Sequence, residues 1–370
     1  MINVLFVISN LNRQGPINQL FYLCKYIDKS IINPIIVTTS QKSFENSMHN
    51  NFKAIGIQII DLKMSKIKSV LVAKKQIQKI INDKSIDIIQ SFGFRSDLIS
   101  YNLKKVFKIT TVRNRLLYNS IMIRGPILGL ISGKTNLYVI KKFDSIISCS
   151  YSVQKYLKTF NVNSDVILNS VNPDKISEKF SNSNIQNLRR KLYLTEKSKI
   201  FLTVSSKIKG KNIEFLIDSF QKKELDDYLL VITGYVSPTI IDKNNSKRNI
   251  HFTGNVRNLI DYIRATDYFI SASLHEGMPN AVLEALSLGT PVILSDIPSH
   301  LEILNKSDLP IGTAFRNNDS LDLIEKIAFI QSLDYTNLVN NCKYTIDKYF
   351  NAKEMAKSYE EYYSAIYNNF

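Results

Sequence analysis

The sequence predicts an α/β protein built from two doubly wound, parallel-sheet domains. Three observations predict it: short apolar runs recur through both halves, stretches of helical apolar spacing lie between them, and one polar passage near the middle interrupts the series. Runs that are apolar throughout suit strands buried on both faces, as in a parallel sheet covered by helices. Their alternation with helices predicts right-handed crossovers. A chain of 370 residues is long enough for two domains of ordinary size.

In the first half, residues 4–9, 33–39, 86–92, 108–112, 145–150 and 165–170 read as buried strands, with helices at 17–27 and 70–83. Residues 169–192 are polar and read as the interdomain link, placing the domains at 1–178 and 179–349. A second series of strands follows at 199–206, 228–234, 249–254, 267–273 and 290–296. Helices fit between them at 212–223, 256–265, 279–288 and 298–305. A last helix over about 350–370 carries Met355, Tyr359, Tyr362, Tyr363 and Ile366 at spacings of three and four, and can pack on either domain. Ligands of such sheets bind outside the carboxyl ends of the strands.

A hydrophobic fraction of 44% with 22% charged residues excludes a disordered chain. Cys24, Cys149 and Cys342 are far apart and read as buried apolar residues in a reducing compartment. The N-terminal run reads as a first strand rather than a signal peptide, and no apolar run reaches spanning length. A cytoplasmic location, peripheral to the inner face of a membrane, is expected. Residues 1–179 hold 26 Lys and Arg against 10 Asp and Glu, whereas residues 180–370 hold 22 of each. The whole net charge of +16 therefore lies in the first half, consistent with solubility or with a surface meeting anionic headgroups or phosphates. Residues 113–134 mix Arg113, Arg115, Arg124 and Lys134 with Leu116, Ile121, Met122, Ile127, Leu128, Leu130 and Ile131, a pattern open to a membrane-surface segment or a core helix. No nucleic-acid motif accompanies the bases, so nucleic acid is not expected as a partner.

The chemistry concentrates at residues 274–292, LHEGMPNAVLEALSLGTPV. Pro279 suits the first position of a helix, which leaves Glu276 and Gly277 in the preceding loop and Glu284 about one and a half turns inside. Free N–H groups at a helix start attract phosphate or hydroxyl oxygens, and Gly277 permits close approach. Two carboxylates there can accept from sugar hydroxyls. On spacing alone, a solvated surface helix explains them equally well.

The surrounding residues resemble the donor-site signature of retaining glycosyltransferases of family 4, which have the GT-B fold of two Rossmann-like domains facing each other across a cleft. Seven residues separate Glu276 from Glu284, a Gly-Met-Pro turn follows the first, and Gly289-Thr290-Pro291-Val292 follows the helix. The resemblance extends, with gaps, along the chain. VLFVISNLNRQGPINQL is similar to the family's first strand, glycine loop with Gly15, and helix. DIIQSFGFRSDL resembles an acceptor-side segment, with Arg95 and Asp97 in its loop. Asn169-Ser170-Val171-Asn172 stands for the usual Asn-Gly-Val-Asp, and VSSKIKGKNIEFLIDSF for the first strand-loop-helix of the donor domain.

That resemblance implies transfer of a sugar from a nucleotide-diphosphate sugar to an acceptor hydroxyl with retained configuration. Glu276 would hold the transferred sugar, Glu284 the ribose, and Lys211 the diphosphate. Gly277, Met278, Pro279 and Asn280 would border the donor. The family's second diphosphate base, an arginine, is here Ser206, with Lys207 and Lys209 as nearby cations. Where many members have a histidine, this chain has Arg113, then Asn114 and Arg115, which suits an anionic acceptor. Glycans and lipid-linked glycans of capsule or O-antigen synthesis are the implied acceptors. No cofactor or metal is expected: there is no Asp-x-Asp spacing, and the four histidines are scattered. A nucleotide-sugar epimerase of similar fold and a non-catalytic sugar-nucleotide-binding protein remain as alternatives.

Overall fold

The computed structural model describes the chain apart from residues 41–46, 173–186, 188, 191–198, 207–208, 246, 257 and 370, and apart from the side chains of 66–69, 71 and 209. It divides into two compact units, residues 1–170 with 352–370, and residues 171–351. The sequence-derived boundary at 178/179 falls outside the described residues.

Among its described residues the first unit holds seven parallel strands: β1 (Ile2–Ile8), β2 (Ile32–Ser40), β3 (Gln58–Met64), β4 (Ile88–Phe92), β5 (Phe107–Val112), β6 (Ser145–Ser148) and β7 (Asp165–Val166). Their order is 3-2-1-4-5-6-7. Alternate residues of β1 serve opposite faces. Val4, Phe6 and Ile8 join a core with the helix Gly15–Tyr26, while Leu5 and Val7 join Ala73, Ile77 and Ile81 of the helix Lys66–Asp83. Coverage of both faces is why β1 reads as an unbroken apolar run.

The last helix, Ala352–Asn369, belongs to this unit. Met355, Tyr359 and Tyr363 enter the same core as Phe6. The Tyr363 hydroxyl bonds to Gln90 Oε1, and the Tyr362 hydroxyl donates to Asp165 Oδ2 at 2.7 Å.

Among its described residues the second unit holds six parallel strands: β8 (Ile200–Ser205), β9 (Leu229–Gly234), β10 (Ile250–Gly254), β11 (Tyr268–Ser271), β12 (Val292–Ser295) and β13 (Gly312–Phe315). They run in the order 10-9-8-11-12-13. Phe201 of β8 stacks on Tyr268 of β11 at 5.3 Å and meets Phe220 edge-on at 5.5 Å. At the end of β9, Gly234 takes φ +97, and a Cβ there would lie 2.2 Å from the carbonyl oxygen of Ser205. Only glycine lets the following loop fold so close to β8, where Ser205 Oγ donates to the carbonyl of Tyr235 at 2.6 Å.

In each sheet the chain reverses its direction of winding beside the first strand, between β1 and β4 and between β8 and β11. A crevice opens at such a switch point, outside the carboxyl ends of the strands.

Candidate functional site

The loop after β11 and the loop after β8 converge at the switch point of the second sheet. Lys211 closes a short helical turn, Lys209–Lys211, and Glu276 follows β11 by five residues. Lys211 Nζ donates to Glu276 Oε1 at 2.5 Å, and Ser273 Oγ donates to the same oxygen at 2.9 Å. These side chains are 26% and 18% exposed, so a ligand can still reach the pair. Burial alone would push the Glu276 carboxyl up. The Lys211 charge and hydrogen bond, His300 and the Ser273 hydroxyl outweigh it and hold the group below its ordinary value, as a carboxylate.

His300 interacts electrostatically with Glu276. It is fully buried, its Nδ1 lies 2.9 Å from the Ser295 carbonyl, and Nε2 has no hydrogen-bond partner among the described residues. Burial pushes its pKa from 6.5 down to about 4, although Glu276 pulls it upward. The folded state therefore resists a proton that the unfolded chain accepts. Stability is full above pH 6.5 and falls as pH drops from 6.5 toward 4, by up to roughly 3 kcal/mol. Denaturant titrations across this window are expected to show that loss, and His300→Asn to flatten it.

Helix Asn280–Ser287 begins one residue later than the sequence reading placed it. Pro279 is its N-cap, with ψ 103, and Asn280 is the first helical residue. Pro279 makes no side-chain cap hydrogen bond, and the preceding Gly277 and Met278 are buried. Glu284 lies at the fifth helical position, half-buried. His275 sits against Gly210, where a Cβ would lie 2.9 Å from its Nε2. That contact accounts for a glycine between two lysines.

A cavity of about 530 Å³ adjoins the pair, lined by Ser206, Lys211, Asn212, Tyr235, Ser237 and Thr239 among others. Ser206 thus shares a wall with Lys211. Lys207 lies outside the described residues, and Lys209 is placed by its backbone alone. Sequence reading did not find Ser273, His300 or Tyr235. Tyr235 and His300 are remote in sequence from Ser205 and Glu276, and Ser273, three residues before Glu276, sits in no spacing that marks a role.

The first unit has its own cavity, about 620 Å³, at the carboxyl ends of β1 and β4. Arg95, Arg113 and Asn114 line it with Arg124 and Gln14. Gly15 and Arg115 are not in its wall: Gly15 begins the helix Gly15–Tyr26, and Arg115 lies over Tyr118 and Tyr156. Arg113 lies over the Phe92 ring at 5.1 Å and donates to Asn169 Oδ1 at 2.6 Å. Its Nε is buried without a hydrogen-bond partner among the described residues.

Arg95 and Asp97 occupy the helix Phe94–Ser100 rather than a loop, because Gly93, at φ 87, turns the chain immediately after β4. Asp97 accepts from Ser91 Oγ at 2.6 Å and Thr110 Oγ1 at 2.8 Å. Burial raises its carboxyl to about 6 against these two bonds.

Comparison with known proteins agrees with this geometry. Residues 184–349 match the family described as Glycosyl transferases group 1. The chain is 25% identical over 322 residues to the capsular polysaccharide biosynthesis glycosyltransferase CapH of Staphylococcus aureus, covering 82% of this chain and 84% of that protein. It is 21% identical to the O-antigen biosynthesis glycosyltransferase WclY of Escherichia coli, covering 84% and 86%. The crystal structure of Anabaena HepE in complex with UDP-glucose superposes with a TM-score of 0.79 at 14% identity, over 99% of this chain and 100% of that one. The two Rossmann-like parallel sheets thus have the GT-B fold of that solved structure, and residues 184–349 match the glycosyl transferases group 1 family.

Proposed function

We propose that the protein transfers a sugar from a nucleotide-diphosphate donor to a glycan or lipid-linked glycan, with retention, in the assembly of a bacterial surface polysaccharide. The observation that carries this reading is the Lys211–Glu276 pair at the switch point of the second sheet, ahead of the helix Asn280–Ser287. Lys211 faces the donor diphosphate and stabilises the charge that builds on it as the bond to the anomeric carbon breaks. Glu276 accepts from hydroxyls of the transferred sugar, and Glu284 from those of the ribose. The backbone from Gly277 to Asn280 borders the diphosphate, and Ser206 lines the nucleotide side. The acceptor oxygen bonds to the anomeric carbon on the face the leaving group vacates, and its proton passes to the diphosphate.

The acceptor belongs to the cavity of Arg95, Arg113 and Asn114. Its arginines have no carboxylate partner among the described residues, which suits a phosphate-bearing acceptor such as a polyprenyl-diphosphate-linked glycan. Capsule and O-antigen assembly are favoured by the relatives named for those processes. The proposed site of action is the cytosolic face of the inner membrane.

Incubation with a panel of nucleotide sugars, with and without a membrane extract, tests this. Release of nucleoside diphosphate from one donor, dependent on the extract, is expected. Tight nucleotide binding without turnover of any donor would reject the enzyme, and an epimerised donor without release would identify an epimerase.

A further inference from the structure

Residues 116–140 form a helical hairpin on the first unit whose apolar side chains are on the wrong side for water. The helices Leu116–Arg124 and Pro126–Ile140 meet at Gly125. Gly125, Gly129 and Gly133 recur every four residues and so lie along one stripe. A Cβ on Gly129 would lie 2.4 Å from Ile121 Cα, and one on Gly133 would lie 2.9 Å from Leu117 Cα. The two backbones are therefore in contact along this seam, with no room for the Leu and Ile that ordinarily fill it.

The large side chains are left outside. Ile127 is 74% exposed, Leu128 65%, Ile131 59% and Ile123 53%, with Leu130 and Met122 also exposed. An apolar patch of this kind marks an interaction surface. Small residues at the seam with aliphatic residues facing outward are how helices pack in lipid, where an outward Leu has a solvent as apolar as itself. At 15 residues the longer helix falls short of the ~20 that span a bilayer, so it would lie along the surface. The sequence left a membrane-surface segment and a core helix open here, and the exposed aliphatic side chains depart from the core helix. The chain breaks at Gly125, and each helix spends its inner face on its partner.

Charge identifies the occupant. Residues 98–143 contain nine Lys and Arg and no Asp or Glu. Arg115, Arg124, Lys134, Lys141 and Lys142 lie in or beside the hairpin. A second copy of the chain would bring the same positive field against this one and be repelled. An anionic bilayer offers both an apolar layer and a negative headgroup plane.

We propose that the hairpin docks the protein on an anionic lipid surface, with Ile127, Leu128 and Ile131 seated among the headgroups and the surrounding bases against lipid phosphates. This inference does not rest on the donor site, because vesicle binding is read without any donor. Sedimentation of the full chain with vesicles of equal parts phosphatidylcholine and phosphatidylglycerol tests it. Binding to these vesicles and not to phosphatidylcholine alone is expected, weakening in high salt. The double variant Ile127→Gln/Ile131→Gln, at exposed positions, should lower the partition coefficient at least about tenfold, with its circular dichroism unchanged. Lys134→Gln/Lys142→Gln should weaken binding to the mixed vesicles selectively. Undiminished binding by the isoleucine variant would overturn the proposal. So would a concentration-dependent dimer that this variant abolishes, which would assign the face to a second copy.

Discussion

Replacing Glu276 by Gln is expected to lower sugar transfer by about 10² to 10³-fold while the fold persists. Gln keeps the shape of the side chain and can still accept from Ser273, so neither a cavity nor a new clash arises. What it loses is the charge that fixes Lys211 at 2.5 Å and that would polarise the hydroxyls of a bound sugar. Both effects act on the transition state more than on the ground state, so the fall should appear in turnover at saturating donor. Released nucleoside diphosphate measures it, with thermal unfolding as the control. Activity within about threefold of the parent would remove Glu276 from its assigned role.

Lys211→Ala is expected to weaken the donor rather than only slow its reaction. Among the described residues its ammonium is the cation in the wall of the second unit's cavity of about 530 Å³, together with Ser206. A diphosphate that loses its ionic partner loses a charge-assisted hydrogen bond, and kcat/KM should fall about 10²-fold, with KM for the donor rising. The double variant with Glu276→Gln should be little worse than the more impaired single variant, because the two side chains act as one unit. Independent, multiplying losses would mean that the ion pair has no shared role. Unchanged donor affinity in Lys211→Ala would move the diphosphate contact to Lys207 or Lys209.

Much of the fold was legible because buried strands leave unbroken apolar runs. The strands that escaped reading, β3 and β13, are both sheet edges. QIIDLKM of β3 includes Asp61 and Lys63 because most of its residues are only half-buried, and GTAF of β13 is too short to stand out. Within the site, Glu276 and the start of its helix were legible since a loop, a turn and a helix lie next to one another in sequence. The pairing of Lys211 with Glu276 spans 65 residues, and the burial of His300 near Glu276 depends on how β12 and its neighbours pack. Tertiary coincidences of this kind have no local signature. The hairpin at 116–140 failed to read for another reason. Its apolar residues follow no inward-facing period, because glycines occupy the inward positions.

The return of the helix Ala352–Asn369 to the first unit has a consequence for biosynthesis. Met355, Tyr359 and Tyr363 complete the core around Phe6 and Ile88, yet more than 180 residues, all of the second unit, are translated before them. Domains that are contiguous in sequence can fold as they emerge from the ribosome. Here the second unit is closed within one stretch of chain and can fold first. The nascent first unit must wait with one flank of its sheet uncovered until the final helix has left the exit tunnel.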